Sequence, residues 1–103
     1  MSEPGETCRV DVWLWRARFF KTRGLAARIV GEGGVRLSRG GATISLDKPS
    51  RTLRAGDVLV FPIGARWLAV RIEALGARRG PASEARTLYR LLDDPAGAPP
   101  SPG

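Results

Sequence analysis

Between Arg9 and Phe20 the sequence places apolar residues on two sides of one predicted helix. Val10, Trp13, Leu14 and Ala17 recur at i, i+3, i+4 and i+7, and Val12, Trp15 and Phe19 form a second stripe. A helix that is apolar on two sides has to be covered on two sides. The next helix can cover one stripe, so a later part of the chain must return to cover the other. Arg9, Asp11 and Arg18 share the narrow polar edge, with Asp11 or Thr7 near the helix start. The tryptophans read as core rather than as stacking platforms for bases, because large aromatic residues in a small domain are mostly buried.

The remaining chain reads as short elements broken by turns. Residues 1–8 read as a loose arm. A second helix runs from Thr22 to about Gly31 and stops at Gly31-Glu32-Gly33-Gly34. Val35-Arg36-Leu37-Ser38 alternates as a strand, Arg39-Gly40-Gly41 turns the chain, and Ala42 to Leu46 forms a second short strand. Lys48-Pro49-Ser50-Arg51 is a loop. Val58 to Phe61 is an apolar strand stopped at Pro62, and Trp67 to Leu75 is the longest strand. Residues 76–80 read as a basic, flexible link. Pro81 then opens a closing helix, in which Ala85, Leu88, Tyr89 and Leu92 repeat at helical spacing. That helix is the candidate cover for the spare stripe of helix 1. Residues 93–103 hold only Asp, Pro, Gly, Ala and Ser and are expected to be disordered.

Charge points to a polyanionic partner. Seventeen cations face ten carboxylates, a net charge of +7, and 15 of the 17 cations are Arg. Arg suits phosphate through its planar fork, although a biased genome composition would raise Arg as well. Residues 9–54 alone carry +8, so the charge is concentrated rather than spread. With no His and one cysteine, Cys8, no usual zinc site, no Ser–His or Cys–His nucleophile pair and no internal disulfide can be built. No phosphate-cradling glycine motif stands between a strand and a helix. Asp47 with Asp57, and Glu73 with Glu84, have no spacing that supports acid–base chemistry and read as scattered surface carboxylates. A non-enzymatic binding module, without cofactor or metal, is expected. No signal peptide or transmembrane run is visible, which makes a reducing cytoplasm the expected location.

The sharpest local feature is Lys21-Thr22-Arg23-Gly24-Leu25-Ala26-Ala27-Arg28. Thr22 suits a helix N-cap, and Lys21 and Arg23 flank it. Helix N-termini favour anions through free N–H groups and the helix dipole. At 100° per residue, Leu25, Ala26, Ile29 and Val30 share one arc. Arg23, Gly24, Ala27, Arg28 and Gly31 share the other, a floor of small residues with arginines at its edges. An ordinary solvated helix face is the competing reading.

Several short stretches, in this order, resemble the S-four-type RNA-binding domain named after small-subunit ribosomal protein four. They are Arg9-Val10-Asp11, Lys21-Thr22-Arg23 with Ala26 and Arg28, Gly34-Val35-Arg36-Leu37 and Gly56-Asp57. Trp13-Leu14-Trp15-Arg16-Ala17-Arg18-Phe19-Phe20-Lys21-Thr22-Arg23 and Arg78-Arg79-Gly80-Pro81-Ala82-Ser83-Glu84-Ala85 are similar to the fifteen-kilodalton heat-shock protein family. That resemblance implies a ribosome-associated protein. It would bind RNA and the free large subunit that still carries a nascent chain on transfer RNA, and help recycle stalled subunits after heat stress. Where such domains usually carry Asn-Gly, this chain has Ser38-Arg39. Family members often end in a long basic tail; here residues 93–103 hold no cation, so if such a tail helps anchor the ribosome, the expectation is weaker binding or binding by the core alone.

The expected fold is α+β: two N-terminal helices packed on a small, mainly antiparallel, curved sheet, with a C-terminal helix. The RNA-binding domain spans 9–75, followed by the link and closing helix at 76–92. Lys21, Thr22, Arg23 and Arg28 are the expected centre of the RNA surface. Arg9, Arg36, Ser38, Arg39, Lys48 and Arg51 extend it, and Asp11 either aims an arginine or caps helix 1. The expected partner is structured RNA, most of all large-subunit ribosomal RNA, bound by a monomer, with DNA as another polyanion. The alternatives are an accessory domain acting in trans with an RNA-modifying enzyme, and a basic module that meets an acidic protein.

Overall fold

A computed structural model describes residues 6–92. The expectations for residues 1–5 and for the tail at 93–103 lie outside the described residues. The fold is α+β, as the sequence predicts. Helices α1 (Val10–Arg16) and α2 (Arg23–Gly31) pack on each other and against a five-stranded antiparallel sheet. The strands are β2 (Val35–Arg39), β3 (Ala42–Leu46), β5 (Val58–Ile63), β6 (Arg66–Ile72) and β7 (Tyr89–Leu91), in the spatial order β3-β2-β5-β6-β7. A separate ribbon pairs β1 (Cys8–Arg9) with β4 (Thr52–Leu53). Cys8 and Arg9 are therefore strand residues rather than loose arm and helix start. The Cys8 thiol is buried, and burial holds its pKa above the ordinary thiol value.

Helix α1 ends sooner than its apolar spacing predicts. Arg18 adopts φ 67° in the left-handed region. Its N–H bonds to the Trp15 carbonyl at 3.0 Å, and the Phe19 N–H bonds to the Leu14 carbonyl at 3.0 Å. This pair of bonds is a Schellman closure with an arginine where glycine is usual. The bond from Arg18 Nε to the Gly80 carbonyl, 2.6 Å, holds the turn in place. The turn aims Phe19 between Trp13, Phe61 and Tyr89, with ring centroids 6.0, 4.9 and 4.6 Å away. Phe19 thus packs on α1, β5 and β7 together, although it is not a helical residue.

The cover for the second stripe also differs from expectation. The closing helix is one turn, α3 (Ala82–Ala85), followed by a tight three-residue turn (Arg86–Leu88) and then strand β7. Leu88 is buried, but Tyr89 pairs across from Ile72 at the sheet edge. Helical spacing continued through Tyr89 and Leu92 by sequence alone; pairing with β6 outweighs it. The link before α3 is held to α1 rather than loose. Trp13 Nε1 donates to the Ala74 carbonyl (2.9 Å) and Arg16 to the Gly76 carbonyl (2.7 Å). Arg79 donates to the Trp15 carbonyl (3.1 Å) and lies 5.9 Å from the centroid of the Trp15 ring. Arg78 pairs with Glu84.

Pro62 does not stop β5. Beyond Val60 the strand has no β2 partner, and Gly34 lies against the Pro62 ring instead. A residue without an N–H is tolerated where no ladder needs it. The two-residue hairpin loop Gly40-Gly41 has positive φ at both positions, 60° and 87°, as a turn matched to strand twist requires.

Arg18→Gly removes both the left-handed strain and the bond to Gly80, whereas Arg18→Ala removes only the bond. Urea denaturation should therefore find Arg18→Ala the less stable of the two by about 1 kcal/mol; equal midpoints would show that the turn is unstrained.

Candidate nucleic-acid interface

Helix α2 begins as the sequence predicts. Thr22 is extended, and its Oγ1 accepts the Leu25 N–H at 3.0 Å. Among the described residues no hydrogen bond engages the amides of Arg23 and Gly24. These two donors point out of the helix end with the positive pole of the dipole behind them. Lys21, Thr22, Arg23, Gly24 and Arg28 are all exposed. Lys21 and Arg23 have no ion-pair partner among the described residues. Arg28 meets Glu32 at 3.4 Å with both side chains mostly in solvent, a pair that is weak and readily exchanged. Ala26 and Val30 anchor the opposite face in the core. Leu25, assigned to that face by its angle, is 38% exposed at its edge. A side chain added at Gly24 would meet only Thr22 Oγ1 at 3.9 Å, and one at Gly31 would meet nothing, so the small-residue floor is open.

A second group forms around residues 48–52. Helix α1 has no side-chain cap. The Val10 N–H donates to the Arg51 carbonyl (2.8 Å) and the Asp11 N–H to the Pro49 carbonyl (3.5 Å). Loop carbonyls thus take up the first two amides of the α1 entry. Asp11, almost fully buried, accepts from Arg9 Nε (3.0 Å) and Nη2 (2.9 Å). It aims an arginine and caps nothing. That hydrogen-bonded pair holds the Arg9 pKa above its ordinary value and leaves the guanidinium half in solvent. Lys48 and Arg51 are exposed and have no carboxylate partner among the described residues.

Asp57 is the residue that sequence reasoning placed worst. It is 2% exposed rather than a surface carboxylate. It accepts Arg39 Nε at 2.9 Å, Arg39 Nη2 at 2.8 Å and the Arg54 N–H at 2.8 Å. The only hint in sequence was its place after Gly56. The hydrogen bonds to Asp57 raise the Arg39 pKa. Arg39 is thus fixed in plane by a buried carboxylate, rather than being a free phosphate arm. Its Nη2 also lies 3.5 Å from the Thr52 carbonyl. Ser38 and Arg36 alternate to the other face of the sheet, and the Ser38 hydroxyl is engaged with Thr43 Oγ1 at 2.9 Å. The structure therefore joins Arg9, Asp11, Arg39 and Arg51 around the 48–52 loop and keeps Lys21, Thr22, Arg23 and Arg28 together on α2. It turns Arg36 and Ser38 away from Arg39.

Among the described residues no helix is long and apolar enough to cross a membrane. No family model matches the chain. Individual proteins do. Heat shock protein 15 of Escherichia coli strain K12 is 38% identical over 87 residues, covering 84% of this chain and 62% of that protein. The heat shock protein 15 homolog of Haemophilus influenzae is 35% identical over 82 residues, covering 80% of this chain and 59% of that protein. The chain thus spans less than two thirds of the length of either relative. The structure of Vibrio cholerae heat shock protein 15, described as trimeric, superposes with a TM-score of 0.72 at 37% identity, covering 84% of this chain and 83% of that one.

The capping role of Thr22 is open to direct measurement. Thr22→Ala should cost about 1 kcal/mol in thermal or urea denaturation, and Thr22→Ser should recover most of it. An alanine variant as stable as the parent would show that the cap contributes nothing to the α2 entry.

Proposed function

The chain belongs to the heat shock protein 15 family, and on that premise we propose that it is a non-catalytic protein that binds structured RNA. The observation behind this reading is the α2 entry: two unengaged amides, a satisfied cap, and Lys21, Arg23 and Arg28 exposed around a floor of small residues. A phosphate seated there meets charge-assisted hydrogen bonds from amides and guanidinium groups. The next phosphates of a backbone can run over Gly24, Ala27 and Gly31, where the side chains are absent or a single methyl. Lys48, Arg51 and the half-exposed Arg9 supply a second cationic stretch. Phosphate contacts of this kind fix position and register, so the shape of an A-form helix would carry most of the selectivity of this surface.

The family resemblance makes large-subunit ribosomal RNA the proposed target. The proposed occasion is a free subunit that still holds a nascent chain on transfer RNA after heat stress. Sucrose-gradient fractionation of a lysate tests this: the protein should migrate with free large subunits, and its absence from every ribosomal fraction would remove the ribosomal assignment.

The charged surface generates two further expectations. About five to eight phosphate contacts give a log–log salt slope of roughly −4 to −7 for binding to duplex RNA, measurable by fluorescence anisotropy across a salt series. A flat titration would contradict it, and an equal slope and affinity on DNA would favour a general polyanion binder. Replacing both Arg23 and Arg28 by Ala should lower RNA affinity by roughly tenfold or more at low salt, with little change in melting temperature, because both side chains lie in solvent. A double variant that binds as well as the parent would make the α2 face ordinary surface.

A further inference from the structure

A groove of about 370 Å³ lies between the β2–β3 hairpin and residues 50–52, outside the α2 surface. Its apolar lining comes from Leu37, Leu46 and Ile44, the last of which is 44% exposed without a covering element. Its rim holds Arg39, Arg51 and the hydroxyl residues Ser50 and Thr52. Among the described residues no carboxylate lines it; Asp57 is buried and paired with Arg39. The size is that of a small-ligand cleft, for which about 300–1,000 Å³ is usual, and is too small for a helix of a partner protein.

We propose that this groove takes one unpaired nucleotide of the bound RNA, its base lying on the Arg39 guanidinium and the Ile44 side chain and its phosphate reaching Arg51. The proposal rests on the RNA-binding reading above and deepens it, by adding a preference for an unstacked nucleotide beside a duplex. The geometry of Arg39 is the reason. Two hydrogen bonds to a buried carboxylate lock the guanidinium plane, while the side chain remains 41% exposed. A fixed, flat, half-exposed cation is a stacking surface for a base. A free phosphate arm would instead be mobile and fully solvated. Ile44, across the hairpin from Leu37, extends the platform with an exposed apolar side chain. Ser50 and Thr52 supply hydroxyl and backbone groups at the edge, where the polar rim of a base would lie. A base within a duplex already has both faces stacked and cannot enter, so only loop, bulge or end nucleotides qualify.

The test uses the full chain and two RNAs that share one stem: a hairpin with a single-stranded loop carrying a fluorescent adenine analogue, and a blunt duplex. The parent protein should bind the hairpin roughly tenfold more tightly than the duplex and quench the analogue. Ile44→Thr keeps charge and strand propensity, and should remove that advantage while leaving duplex affinity unchanged. Arg39→Lys keeps the charge and loses the plane, and should abolish the quenching. If the parent binds both RNAs alike and Ile44→Thr changes neither, the nucleotide groove is refuted and the phosphate surface on α2 stands. If the parent binds neither RNA, the RNA reading itself fails and takes the groove with it.

Discussion

Phe19 is where the helical and sheet layers are joined. It belongs to no regular element, yet its ring touches Trp13 of α1, Phe61 of β5 and Tyr89 of β7. That position requires the backbone to reverse at Arg18 within one residue of the end of α1. The reversal brings Phe20 back against Phe61 as well and delivers the chain at Lys21 to the start of α2. The exposure of the α2 entry therefore follows from a buried aromatic contact a few residues earlier.

The arginines divide into two populations by what they meet. Arg16, Arg18 and Arg79 donate to backbone carbonyls and tie the segment at 75–80 to the end of α1. Arg39 and Arg9 are held by buried carboxylates, in each case with part of the guanidinium left in water. Burying a carboxylate is costly unless cations and N–H donors surround it. Asp57 meets that condition with three bonds and Asp11 with two. Lys21, Arg23, Lys48 and Arg51 are among the cations without a carboxylate partner among the described residues, and they are exposed. A count of cations by segment cannot separate the held from the free, because arginines occur in both.

Much of the α2 surface was legible in advance. Thr22 followed by a small-residue arc reads as a capped helix with one open face, and the structure has both. The strand from Val35 to Arg39 and the core positions Leu59, Phe61, Val70 and Ile72 follow alternation. The closing segment was not legible. Ala85, Leu88, Tyr89 and Leu92 keep helical spacing, but a free sheet edge at β6 offers hydrogen bonds to the backbone at 89–91. Local periodicity holds no record of which edge is vacant. Asp57 was misread for a related reason: a carboxylate looks the same in sequence whether it faces water or a fixed arginine eighteen residues earlier.

By itself the sequence determined that two helices precede a small antiparallel sheet, that the second helix opens on a threonine cap among cations, and that the basic charge sits in the first half of the chain. These follow from spacing, turn residues and composition, which act over a few residues at a time. Only the tertiary structure decided which arginines face solvent, that Arg39 lies flat beside an open groove, and that the last segment joins the sheet. Those outcomes depend on which groups from distant parts of the chain meet, and on whether water remains between them.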